Sequence, residues 1–246
     1  MDTLLEWLAL TTSAMHSLAA WLQPATSALD LAALIALAAA LGWASGLRLY
    51  AVLFITGLTG ALNWIHLPQG LSLLQHPVML VASGGMLFVE FFIDKIPGLD
   101  SIWDMLHSVI RVPAGAALAA AVFGADSATM AVAAAVMGGT LSAASFSAKA
   151  STRAAVNTSP EPISNVAVSL FEDGLVLAGF WLAVKHPLLF ICALVVVTAL
   201  MLFLVYALLR FLRAVLSRVA SLFGQDRKST RLNSSHTDIS RMPSSA

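Results

Sequence analysis

Charge is scarce in this chain. Of 246 residues, Lys and Arg together supply 13 and Asp and Glu 13, so only 11% of the sequence is charged, against roughly 25% in soluble domains. So few charges cannot cover the surface of a soluble domain of this length. The two signs also balance, which leaves no basic face for nucleic acid or anionic lipid. Cysteine is nearly absent. The single Cys192 excludes an intramolecular disulfide and a cysteine-built metal cage, and inside its apolar run it reads as a small packing hydrophobe. Lys and Arg are missing from residues 1–47 and again from 61–76. What fills the chain instead is apolar: 59% of residues, with a mean hydropathy of +0.87. That balance excludes a soluble globular enzyme, a disordered chain and a nucleic-acid binder, and leaves a multi-pass helical membrane protein.

The apolar residues fall into runs that set the expected organisation. Residues 1–27 carry Trp7 and Trp21 near the ends of an apolar stretch broken by Glu6 and His16. They read as an interfacial helix, with a spanning helix as the alternative. A continuous helix over 29–60 would be about 48 Å long, well beyond a roughly 30 Å hydrocarbon core. A broken or re-entrant helix near residues 44–60 is therefore expected, turning close to Ser45-Gly46. Such breaks survive at membrane depth only where protein or water satisfies the freed backbone. Residues 61–76 read as a loop, and 77–93, 128–148, 163–184 and 187–209 as spans. Residues 95–112 look too polar to cross and read as an amphipathic surface helix, followed by a short Ala-rich piece over 113–124. The sum is an all-α polytopic fold of about six membrane segments, with residues 28–224 as its transmembrane domain. Arg210, Arg213 and Arg218 follow the last span, which predicts a cytoplasmic C-terminus. The final stretch, Gln225 to Ala246, is polar and lacks helical periodicity. It resembles the translated read-through of a sequencing-library adaptor and is read as a non-native, disordered tail.

Charges inside the spans are the informative residues, because each costs on the order of 2.5–3.5 kcal/mol to insert. Arg48 follows the Ser45-Gly46 break. Glu90 sits deep in the 77–93 span, with Asp94 one turn on. Lys149 and Arg153 are four apart, and Asn165, Ser169, Glu172 and Asp173 cluster on one face of the 163–184 helix. Three cations (Arg48, Lys149, Arg153) and three anions (Glu90, Glu172, Asp173) left alone would cost roughly 15–20 kcal/mol, so mutual pairing is nearly forced. Such a centre suits the binding or passage of a small charged solute or ion. The competing account is a structural membrane subunit whose ion pairs fix helix register. The sequence does not choose the sign of the solute.

A second constellation lies in PGLDSIWDMLHSVIRVP, where Asp100, Asp104, His107 and Arg111 share one helix face. Two carboxylates and an imidazole are suitable donors for a divalent metal, which would make a metal-assisted membrane-surface enzyme the alternative function. A plainer account competes: Ser101 as N-cap with Asp104 at N3 forms a capping box, and Arg111 suits the helix end. No other cofactor is expected, and enzymatic activity is the less favoured reading.

Three stretches carry a family resemblance: ASGLRLYAVLFITGL at 44–58, FVEFFIDKIPGLDSIWDMLHSVIRVPAGA at 88–116 and SFSAKASTRAAVNTSPEPISNVAVSLFEDGL at 145–175. In order and spacing they resemble an uncharacterised bacterial family of small integral membrane proteins, domain of unknown function 4126, over roughly residues 30–210. The resemblance implies a multi-pass protein of the bacterial inner membrane, and brings no activity, substrate or catalytic residue. The expected partners are the lipid bilayer and a small charged solute or ion; a homo-oligomer is compatible with the sequence.

Overall fold

A computed structural model of the chain describes residues 30–96, 98–124, 127–157 and 162–238. The N-terminal segment read as an interfacial helix lies outside them, as does most of the Ser159–Pro162 break. The described residues form six α-helices and one 3-10 helix: α1 (Leu31–Ala61), the 3-10 helix Gln69–Gln75, α2 (Pro77–Ile93), α3 (Leu99–Phe123), α4 (Ala128–Val156), α5 (Pro162–Lys185) and α6 (Pro187–Asp238). Contacts group the chain into two compact units, one ending at Met201 and one beginning at Leu202.

Capping follows local chemistry. The Asp30 carboxylate accepts from the Ala33 amide at 2.8 Å and opens α1. Pro77 stands at the start of α2, where no intrahelical donor is needed. The Ser127 hydroxyl oxygen accepts from the Met130 amide at 3.4 Å and opens α4. Gly98, with φ of +85°, precedes α3, a conformation that a side chain would disfavour.

The first unit is built around α1. Residues 36–49 of this helix are all buried, and α4, α3, α5 and α2 pack around it. Small residues let the backbones meet: a Cβ on Gly42 would collide with the Gly138 backbone, and one on Gly46 with Ser142 and Ser145. This is how membrane helices gain contact where lipid and side chains are equally apolar. The outward faces are the reverse of a soluble protein. Val81, Phe88, Val109, Val132, Val136 and Ile163 are all well exposed, an apolar surface that only a lipid environment covers without cost. Among the described residues, five helices are long and apolar enough to cross a membrane: Leu31–Ala61, Leu99–Phe123, Ala128–Val156, Ile163–Lys185 and Pro187–Phe211. The Gln69–Gln75 and Pro77–Ile93 pair, bent by 69°, makes a sixth segment if counted as one. In the second unit, the apolar Phe203, Leu204, Tyr206 and Phe211 are likewise exposed.

The expected break in the first long helix falls at Arg48, whose φ of −145° and ψ of 79° are not helical. The two arms have different neighbours. Before it, Gly42 abuts Gly138, and the carbonyls of Trp43 and Leu47 accept from Ser145 Oγ (2.6 Å) and Lys149 Nζ (3.1 Å). After it, Gly84 lies against Phe54, and Gly57 against Leu74 and Leu80. Arg48 is the apex of this kink, between an arm that meets α4 and an arm that meets α2 and the 3-10 helix.

Three details depart from the sequence expectation. Residues 99–123 form one helix through Pro113 rather than a surface helix and a separate Ala-rich piece; the charges that made its first half look too polar are neutralised inside the bundle. The capping box at Ser101 is absent too. Gly98 takes the cap position with no side-chain bond, while Asp100 Oδ1 accepts from the Ser101 amide at 2.7 Å. The last helix, for its part, runs on to Asp238, into the polar stretch set apart on composition.

Candidate functional site: a buried ion network

Five elements supply the charged centre: the apex of α1, the end of α2 with the turn after it, the start of α3, the end of α4 and the first half of α5. Asp94 is the hub. Its Oδ2 lies 2.8 Å from Arg48 Nη1, 2.8 Å from Lys149 Nζ and 3.7 Å from Arg153 Nη2. Arg48 also reaches Asp173 at 3.1 Å and Glu172 at 3.9 Å, and donates to the Ser169 hydroxyl and carbonyl at 2.8 and 3.1 Å. Arg153 bonds Glu172 at 2.9 Å, Asn165 Oδ1 at 2.6 Å and the Asp94 carbonyl at 2.7 Å, and lies 3.6 Å from Asp100. Lys149 approaches Asp104 at 3.2 Å and thereby links a second group, in which Arg111 holds Asp104 at 2.8 Å and Glu90 at 2.7 Å. Almost the whole assembly is buried: Arg48, Arg111, Glu90, Asp94 and Asp100 are 0% exposed.

Local structure explains why these side chains converge. At the kink Lys149 Nζ donates to the Leu47 carbonyl at 3.1 Å; support of this kind from protein is the condition under which a broken helix is tolerated at depth. Lys149 and Arg153 stand one turn apart on α4, as Asn165, Ser169 and Glu172 do on α5, so each helix offers one charged edge. Asp94 lies in the turn after α2. Burial alone would raise its carboxyl, but Lys149 and Arg48 beside it, with Arg153 further off, hold it below the ordinary carboxylate range. In the same turn, burial lowers the Lys95 ammonium, partly countered by Asp173.

All eight residues expected to form the centre take part: Arg48, Lys149, Arg153, Asn165, Ser169, Glu172 and Asp173 around Asp94, and Glu90 through Arg111. The sequence reading left Asp94, Asp100, Asp104, Arg111 and Asn157 out of this set. Asp94 is legible as the residue one turn beyond Glu90; Asp100, Asp104 and Arg111 sit in the segment read as a surface helix, and Asn157 caps the end of α4. The residues read as metal donors are placed otherwise. Asp104 faces Arg111 and Lys149, Asp100 accepts from Asn157 Nδ2 at 3.1 and 3.2 Å, and His107 stacks on Trp103 with its Nδ1 2.9 Å from the Trp103 carbonyl. Among the described residues no group of three His, Cys, Asp or Glu side chains converges in a way that could hold a metal ion. Two of the three expected donors are drawn to cations or to an amide donor instead.

The apolar helical bundle with its buried polar centre defines a multi-pass membrane protein. The chain matches the family described as domain of unknown function 4126 over residues 35–207, and it belongs to that family. No curated protein and no solved structure matches it.

Proposed function

We propose that the chain binds, and carries across the bacterial cytoplasmic membrane, a small cation or a proton through its buried charged centre. An imbalance of charge carries this reading. Six carboxylates (Glu90, Asp94, Asp100, Asp104, Glu172, Asp173) share the network with four cations (Arg48, Arg111, Lys149, Arg153). Lys95, whose Nζ is 3.4 Å from Ser169 Oγ, is a fifth cation nearby. At least one negative charge thus remains over, in a setting where an uncompensated charge is too costly to leave bare. A proton or a bound cation meets it. Carboxylate oxygens are also available: Glu90 Oε2, Asp94 Oδ1 and Asp104 Oδ2 are buried and accept no hydrogen bond among the described residues. An arriving cation competes with Lys149 or Arg48 for Asp94, and displacement of one internal pair by another couples binding to a shift of the helices that carry them. The basic residues after the last apolar stretch, Arg210 and Arg213, orient the C-terminal end toward the cytoplasm in this reading.

The test is flux in proteoliposomes of the full chain, with a dye inside that reports protons, sodium or potassium in turn and a gradient of that ion imposed across the membrane. Proton or sodium flux above that of protein-free vesicles, lost in Glu172→Gln while helical content and detergent-solubilised size stay unchanged, supports the proposal. Flux no greater than in protein-free vesicles for protons, sodium and potassium refutes it and leaves the network as a device that fixes helix register.

A further inference from the structure

The six carboxylates of the network are not equally served. Asp94 Oδ2 meets three cations, and Glu172 Oε2 lies 2.9 Å from Arg153, 3.8 Å from Lys149 and 3.9 Å from Arg48. Asp104 has both Arg111 and Lys149. Asp100 accepts from the Ser101 amide and from Asn157 Nδ2, with Arg153 at 3.6 Å. Asp173 has Arg48 at 3.1 Å, and its side chain is 20% exposed. Glu90 is the exception. It is 0% exposed, Arg111 is its one ion-pair partner among the described residues, and that guanidinium is shared with Asp104. Its two oxygens also differ: Oε1 lies 2.7 Å from Arg111 Nη2, while Oε2 accepts no hydrogen bond. The remaining charged and titratable groups around it do not restore the balance. Arg48 and Tyr50 on α1, Asp94 after α2 and Lys149 on α4 act on Glu90 from longer range, and Asp94 opposes the two cations.

A fully buried carboxylate with a share of one counter-charge and one bare oxygen is costly, and such a group relieves the cost by taking up a proton. We propose that Glu90 is the proton-binding residue of the network and carries the surplus proton on Oε2 at neutral pH. Oε1 still accepts from Arg111, because a protonated carboxyl keeps its acceptor capacity. The full charge of Arg111 then serves Asp104. With Lys95 counted, five cations face five carboxylates. Burial by itself does not single out Glu90, since Asp94 is buried as deeply; what Asp94 has and Glu90 lacks is three cations on one oxygen. This deepens the proton reading above by naming where the proton sits, and rests on the same surplus of negative charge.

The experiment is infrared spectroscopy of the full chain in a detergent that has no carbonyl group, at about pH 7, well above the ordinary glutamate value of about 4.3. A protonated carboxyl shows a C=O stretch above the amide and carboxylate bands, and the band moves to lower frequency in heavy water. The parent is expected to show this band at neutral pH, and Glu90→Gln to lose it. Gln copies the shape of a neutral Glu, so the folding equilibrium of Glu90→Gln is expected to stay within about fivefold of the parent. A parent without the band overturns the proposal, the surplus charge then being met by a bound cation. A band undiminished in Glu90→Gln also overturns it, by placing the proton on another carboxyl. If Glu90→Gln does not fold, a neutral isostere has failed where a neutral side chain is proposed, and that too counts against it. Proteoliposomes that pass no ion leave the band as it is, so failure of the transport reading and failure here are told apart.

Discussion

Replacing Asp94 by Asn tests the network at its hub. The substitution keeps the shape of the side chain and removes its charge. Three cations then lose their shared partner, since Arg48 and Lys149 each approach Asp94 at 2.8 Å and Arg153 at 3.7 Å. Arg48 keeps Asp173, Arg153 keeps Glu172, and Lys149 keeps Asp104 at 3.2 Å, so no cation is left bare. Even so, breaking a buried pair from one side costs about 3–5 kcal/mol, or roughly two to four orders of magnitude in the folding equilibrium. The measurement is reversible unfolding in mixed detergent micelles, followed by tryptophan fluorescence. A double variant with Lys149→Met separates pairing from packing. Because the second change removes one of the cations that has lost a partner, the double is expected to lose about 1–3 kcal/mol less than the sum of the two singles. An Asp94→Asn protein within about 1 kcal/mol of the parent, or strict additivity in the double, would show that these pairs do not hold the helices together.

Other outcomes follow from the same geometry. Acidification is expected to weaken the parent protein: with the Asp94 carboxyl held low by its cations, its contribution is complete above the ordinary aspartate value of about 3.9 and disappears as pH falls toward its own lower value. Unfolding measured across that range should show a smaller acid loss in Asp94→Asn than in the parent. Arg48→Lys is expected to cost about 1–2 kcal/mol in the micelle assay, since one ammonium cannot hold Asp94, Asp173 and Ser169 together as the guanidinium does. Gly42→Val, whose side chain would strike the Gly138 backbone, is expected to cost about 2–3 kcal/mol or prevent folding. Gly85→Ala, with nothing within 4 Å, is expected to stay within about 1 kcal/mol of the parent.

Much of this protein was legible from composition and spacing. The shortage of charge and the length of the apolar runs determined an all-helical membrane fold, because a chain that cannot wet its surface must place it in lipid and satisfy its backbone internally. The excess length of residues 29–60 likewise required a break, and it lies at Arg48. The expense of each buried charge made pairing among Arg48, Lys149, Arg153, Glu90, Glu172 and Asp173 nearly obligatory. Which charge meets which was decided only in three dimensions. Asp94, a turn residue by sequence, became the hub because the end of α2 comes to rest against the apex of α1 and the end of α4. Asp104 and Arg111 looked like a wet helix face, yet tertiary packing set them against Lys149 and Glu90, turning an apparent metal motif into internal counter-charges. A residue's cost of burial can be read from its type alone; its compensation depends on neighbours dozens of residues away, and only the packed helices bring those together.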